Sequence, residues 1–220
     1  MASIGPLSPG TMADDSAVGS VSWSNPDNAK VSDDTRAINQ LGSAVGKESH
    51  YLKATNFGFS IPVGATINGI VVEIERSWQN GSSAFGEIND GGSASGGAGG
   101  LRIVKGGSIS STDRSVGAVW TNTTDAYSSY GSSSDLWGET WTAEDINAST
   151  FGFVISVMGF NGPSGTDPQA KVDHIRITVY YTVGVAGPTN LKSYNTNLKG
   201  NIKSINTNLI ANVKSLNTNI

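Results

Sequence analysis

Two alternating stretches, a turn-rich composition and a repeating tail predict a mainly β chain. The fold expected is an antiparallel β-sandwich, jelly-roll-like, followed by a C-terminal stalk with an eleven-residue repeat that reads as helical. In NGIVVEIERS, Ile70, Val72 and Ile74 share one face and Glu73 and Glu75 the other. In KVDHIRITVYYTV, Ile175, Ile177, Val179 and Tyr181 share one face. Of 220 residues 28 are Gly, and Ser, Thr and Asn are abundant, which suits short strands joined by many turns.

The length leaves room for one domain of about 150–180 residues and a tail, enough to bury a core without staples. The chain has no cysteine, which excludes disulfides and thiolate metal sites. A net charge of −4 with 15% charged residues argues against a nucleic-acid reader. MASIGPLSPGTMADD has neither a basic region nor an apolar run of the kind a secretory signal needs, and no apolar run approaches the length of a transmembrane helix. The expectation is cytoplasmic synthesis followed by a place in a virion or on an extracellular surface.

Residues 1–20 are small, weakly apolar and broken by Pro and Gly, which predicts an extended N-terminal arm. The sandwich is expected over 21–183. Trp23 is a core anchor, and Asn25-Pro26-Asp27-Asn28 is turn chemistry. From His50 to Arg76 the pattern is strand: Phe57, Phe59 and Ile61 alternate, Pro62 to Ala65 turns, and Asn68-Gly69 signals a tight turn. QNGSSAFGEINDGGSASGGAGG, residues 79–100, predicts a mobile loop. Leu101 to Lys105 is a strand, and Trp120 to Trp141 an aromatic, Ser-rich connection. Thr142-Ala143-Glu144-Asp145 predicts one helical turn with a capping Thr. FGFVISVM is a strand with Phe151, Phe153, Ile155 and Val157 inward. The expected core is Ile70, Val72, Ile74, Phe153, Ile155, Ile177 and Val179. Residues 184–190 are a linker.

The tail, 191–220, repeats one phrase: KSYNTNLKGNI, KSINTNLIANV and a shortened KSLNTNI. Its apolar positions are Leu191, Tyr194, Leu198, Ile202, Ile205, Leu209, Val213, Leu216 and Ile220, at steps of 3, 4, 4, 3, 4, 4, 3 and 4. That is one stripe on a helix of about 3.67 residues per turn. One stripe cannot be buried alone, and a second copy of the chain is the simplest partner. The residue types oppose the spacing: Asn, Thr, Ser and β-branched residues are weak helix formers, and Gly200 interrupts the run. An intertwined β-rich stalk with turns at Asn-Thr-Asn and a disordered polar tail are the alternatives.

The phrases SWSNPDNAKVSDDTRA, YLKATNFGFSIPVGATINGIVVEIERS, DLWGETWTAEDINASTFGFVISV and VDHIRITVYYT resemble a β-sandwich domain that recurs in phage structural proteins and bacterial surface proteins. The KS-x-NTN repeat is similar to C-terminal repeats of phage tail-associated proteins. The resemblance covers residues 20–220, implies a structural or surface role, and carries no catalytic motif.

Enzymatic signals are weak. The two histidines are His50 and His174, no G-x-S-x-G occurs, and the carboxylates Glu73, Glu75, Glu139, Glu144 and Asp145 read as strand face and helix cap. GGSASGGAGG lacks the Lys-Ser/Thr of a phosphate-binding loop. Asp33-Asp34 and Asn89-Asp90-Gly91 offer oxygen ligands, so a structural calcium ion is the one cofactor considered, although turn chemistry explains both. Trp120, Asp125, Tyr127, Tyr130, Asp135 and Trp137 suit a glycan site of rings and acids, against ordinary core packing. The leading expectation is a non-enzymatic structural subunit of a virion or extracellular filament, displayed through the sandwich and assembled through the tail. Its partners are further copies of itself and other virion or filament proteins. The alternative is a glycan- or receptor-binding adhesin on an oligomeric stalk, and an enzyme comes last.

Overall fold

The computed structural model describes residues 1–41, 46–80, 87–160 and 168–184. The described residues are mainly β, with antiparallel sheets. Strands β1 (Ala2–Leu7), β3 (Trp23–Ser24), β4 (Ala37–Gln40), β6 (Thr66–Asn80), β10 (Ala126–Ser132) and β13 (Pro168–Thr182) form the first sheet, in the order β10-β6-β13-β4-β3. β6 covers one edge of β13 along its length. β4 takes the start of the other edge and β1 its end. Strands β2 (Thr11–Asp15), β5 (Tyr51–Thr55), β8 (Leu101–Lys105), β9 (Ser108–Ile109) and β11 (Gly152–Ile155) form the second sheet, in the order β2-β5-β11-β8-β9. A two-stranded ribbon joins β7 (Glu87–Asp90) to β12 (Val157–Phe160).

One apolar cluster joins the inward faces of both larger sheets. Ile70, Val72, Ile74, Phe153, Ile155, Ile177 and Val179, the core expected from alternation, are all fully buried. The indole of Trp137 meets Phe153 edge-on at 5.9 Å, and Trp23 is buried as an anchor. Helix α1 (Ala143–Asn147) starts with the predicted cap. The Thr142 hydroxyl accepts from the Asp145 amide at 3.1 Å, and the Asp145 carboxylate accepts from the Thr142 amide at 2.9 Å.

Several expectations need correction. The expected N-terminal arm is extended but paired into both sheets: β1 lies on β13, and β2 on β5. Its alternation is faint because only one residue of these two strands, Met12, is buried. Phe57, Phe59 and Ile61 are buried without belonging to a strand, because Asn56 and Gly58 take positive φ and break the ladder. Asn68-Gly69 is no turn; it lies within β6, where the register against β13 shifts between Tyr180 and Tyr181. Gly69 is needed there, since a Cβ would sit 2.2 Å from the Ser133 carbonyl carbon. FGFVISVM is two strands, parted at Ser156, whose amide turns to the Gly100 carbonyl at 3.0 Å.

The chain divides into the units Met1–Val183 and Gly184–Ile220. The stripe of Leu191, Tyr194, Leu198, Ile202, Ile205, Leu209, Val213, Leu216 and Ile220 lies outside the described residues.

Candidate functional site

Pairing across the first sheet aligns its outward side chains in rows. Tyr127, Glu75 and His174 form one row; Ser129, Glu73 and Arg176 form the next. Glu73 accepts both arms of the Arg176 guanidinium, at 2.9 and 3.0 Å, and that guanidinium lies 3.9 Å from the Tyr127 ring centroid. His174 is buried and hydrogen-bonded at both ring nitrogens, to Ser8 Oγ at 2.8 Å and Tyr127 Oη at 2.9 Å. Burial holds its pKa below the ordinary 6.5, so the ring is neutral near pH 7. A catalytic triad would have a carboxylate on the second nitrogen; here a phenol occupies it.

At the end of these rows the β13 register shifts between Val172 and His174, with Asp173 as the inserted residue. Asp173 is buried, and its Oδ2 accepts the Asp34 amide at 3.3 Å. Asp125, just ahead of β10, accepts from Ser77 Oγ at 2.5 Å and from Arg36 Nε at 2.6 Å. Arg36 also donates to Asp34 Oδ1 at 2.8 Å. Asp34, Asp125 and Asp173 thus bring carboxylate oxygens within 4.8 Å of one another. Burial, with Glu75 and Asp125 beside it, raises the Asp173 carboxyl above its ordinary value of 3.8. Of the two calcium candidates, Asp34 belongs to this set. Asp33 serves its turn, accepting the Thr35 amide at 2.9 Å.

The expected glycan constellation is dispersed. Trp120, Tyr130 and Trp137 are buried. Trp137 donates to the Ile70 carbonyl at 3.0 Å. Asp135 accepts from Arg114 at 2.7 Å and from the Trp137 amide at 2.8 Å. Asp125 and Tyr127 belong to the face described above. Trp120 and Tyr130 instead enclose a buried ion pair of Arg76 and Asp90. Asp90 also accepts from Trp120 Nε1 at 2.9 Å and Tyr130 Oη at 2.9 Å. The Arg76 guanidinium lies 4.4 Å from the Trp120 ring centroid. Burial pushes the Tyr130 phenol far up, so it stays a donor. Asp90, the other calcium candidate, is spent on these partners.

The Gly-rich segment is not loose where it is described. Residues 87–100 wrap two carboxylates from distant parts of the chain. Glu48 accepts the amides of Gly92, Ala98 and Gly99 at 3.1, 2.9 and 2.9 Å, and the Ser156 hydroxyl at 2.8 Å. The glycines are required by this approach: a Cβ on Gly99 would lie 2.2 Å from Ser156 Oγ. Asp113 accepts the amides of Ser93, Leu101 and Ser115 at 2.9, 3.0 and 2.9 Å. Backbone amides that could cradle a phosphate are thus turned onto the protein's own carboxylates.

Burial pushes the Asp113 carboxyl up, but the donors from Ser115, Ser93 and Leu101 outweigh it and hold it below the ordinary 3.8. A lowered pKa contributes stability that is complete above 3.8 and is lost as pH falls through the folded value. Acidification through that folded value, below pH 3.8, is therefore expected to release the Ser93, Leu101 and Ser115 amides to hydrogen exchange, and Asp113→Asn to release them already at pH 7. Equal protection in both proteins at both pH values would contradict this role.

Among the described residues, no helix is long and apolar enough to cross a membrane. No family model, curated protein or solved structure matches the chain.

Proposed function

We propose that this chain is a non-enzymatic structural subunit of a virion or extracellular filament, with the β domain displayed and the repeat tail joining copies. The observation that carries the reading is the tail stripe: nine apolar positions at steps of 3 and 4 through thirty residues, a pattern that a single helix cannot bury by itself. The domain supports it. The order β4-β13-β6-β10 in one sheet and β5-β11-β8-β9 in the other, with the chain passing repeatedly between them, agrees with a jelly roll, a fold used in capsids and lectins. Burial of Trp120, Tyr130 and Trp137 removes the stacking platform an adhesin would need there, and so favours a displayed subunit over a glycan binder. The phrases that resemble a domain of phage structural and bacterial surface proteins support the same reading.

On this reading Ile205, Leu209, Val213 and Leu216 face the same stripe in neighbouring copies. A lysine there buries a charge without a counter-charge. Leu209→Lys is expected to abolish assembly while the β domain stays folded; Asn206→Lys and Asn217→Lys, beside the stripe, are tolerated. A lysine scan of residues 202–216, read as oligomer fraction, decides the geometry. Sensitivity at steps of 3, 4 and 4 supports a helical seam. Sensitivity at every second residue replaces the helix with strands, and uniform tolerance overturns the assembly role.

A further inference from the structure

We propose that Asp34, Asp125 and Asp173 bind one divalent cation, calcium by the chemistry of the donor set, on the outer face of the first sheet. The proposal goes beyond the assembly reading and does not depend on it. Three carboxylates meet here although 139 residues separate Asp34 from Asp173 and 89 separate Arg36 from Asp125. The only cation paired with them among the described residues is Arg36, which binds Asp34 and Asp125. Three carboxylates, with Glu75 beside them, outnumber that one cation and leave the site net negative.

A second observation points to a ligand independently of the clustering. Asp173 is 2% exposed, and its Oδ1 is buried with no hydrogen-bond donor. Oε2 of Glu75, on the adjoining strand, is likewise buried without a donor. A buried carboxylate oxygen left without a partner is strongly destabilising, and native proteins satisfy nearly all such groups. Arg36 does not fill the role: its hydrogen bonds run to Asp125, to Asp34 Oδ1 and to the Asp34 carbonyl at 2.9 Å, and none reaches Asp173 Oδ1.

The chemistry selects the ion. An all-oxygen set suits a hard cation rather than zinc or copper. Calcium accepts six to eight oxygens at about 2.3–2.6 Å, so opposite ligands stand up to about 4.6–5.2 Å apart. Magnesium at about 2.0–2.1 Å spans only about 4.0–4.2 Å. Oxygens within 4.8 Å of one another can all reach one calcium ion, and a set of three carboxylates suits calcium better than magnesium, which keeps several waters and takes one or two carboxylates. Asp34 is 85% exposed on its side chain, so the ion has a path in and water can complete its shell. Bound there, it would tie the 31–36 loop to β6, β10 and β13.

The test uses the full chain, stripped with a chelator and titrated with calcium by calorimetry and by thermal unfolding. One site per chain is expected, with Kd on the order of 0.1–1 mM, and Tm rises by several degrees at 10 mM calcium while magnesium at the same concentration shifts it by less than half as much. Asp173→Asn is expected to weaken calcium binding at least tenfold, yet to match or exceed the parent Tm in chelator, because it removes an unpartnered buried charge. Asp34→Asn, at an exposed position that does not threaten folding, is expected to weaken binding similarly. Absence of heat and of a Tm shift at 10 mM calcium would overturn the proposal and leave protonation of Asp173 as the resolution of its burial. Undiminished binding in both variants would overturn the location. An equal shift with magnesium would overturn the assignment of calcium.

Discussion

Asp90→Ala is expected to lower the unfolding free energy by about 3–5 kcal/mol. The loss exceeds the value of a surface ion pair because nothing at this site can be resolvated. Asp90 is fully buried and Arg76 is 5% exposed. Truncation leaves the guanidinium buried without its counter-charge and leaves Trp120 Nε1 and Tyr130 Oη without their acceptor. Removing the charge as well, in Arg76→Met/Asp90→Ala, is expected to restore part of the loss. The double variant trades an unpaired charge for a fitted apolar chain, though the indole and phenol stay unsatisfied. Denaturant unfolding of the three proteins checks this. A single-variant cost below about 1 kcal/mol would show that the pair sits in a far wetter place than its burial indicates.

The second large effect separates the two faces of β6. Ile74→Ala is expected to cost about 2–4 kcal/mol, combining lost transfer energy with the cavity left behind, since Ile74 is fully buried. Glu73→Ala, one residue away, removes a two-bond pair with Arg176 whose side chains are 22% and 29% exposed, and is expected to cost less than about 1 kcal/mol. Equal costs would mean that β6 does not turn one face inward.

The contrast between Ile74 and Glu73 also marks what could be read from the sequence alone. Where a strand has one buried face, period-two alternation states it outright, and β6 and the second half of β13 were legible for that reason, whereas β11 is buried on both faces. Legibility fails where the backbone departs from the ladder. The inserted Asp173 changes register without leaving a local mark, and the mark at Asn68-Gly69 reads as a turn although it is a register shift within β6. Phe57, Phe59 and Ile61 keep the burial of a strand without its pairing. The Gly-rich segment reads as loose because its order is supplied by Glu48 and Asp113, which the local composition cannot reveal. Glu48 lies 44 residues before Gly92, one of the amides it fixes. The acid cluster follows the same logic: Asp34 was visible as a candidate, but Asp173 and Asp125 reach it only through the fold. The aromatic run misled for a related reason. Rings near acids look like a sugar site, yet Trp120 and Tyr130 use those polar edges to satisfy a buried ion pair.

The central claim is that residues 188–220 hold copies of the chain together. The most direct measurement is the solution mass, by light scattering, of the intact chain and of a chain ending at residue 187. The account predicts an oligomer for the intact chain and a folded monomer for the truncated one, with the β domain's thermal transition retained. The same oligomer in both proteins would contradict it and place the association surface on the β domain.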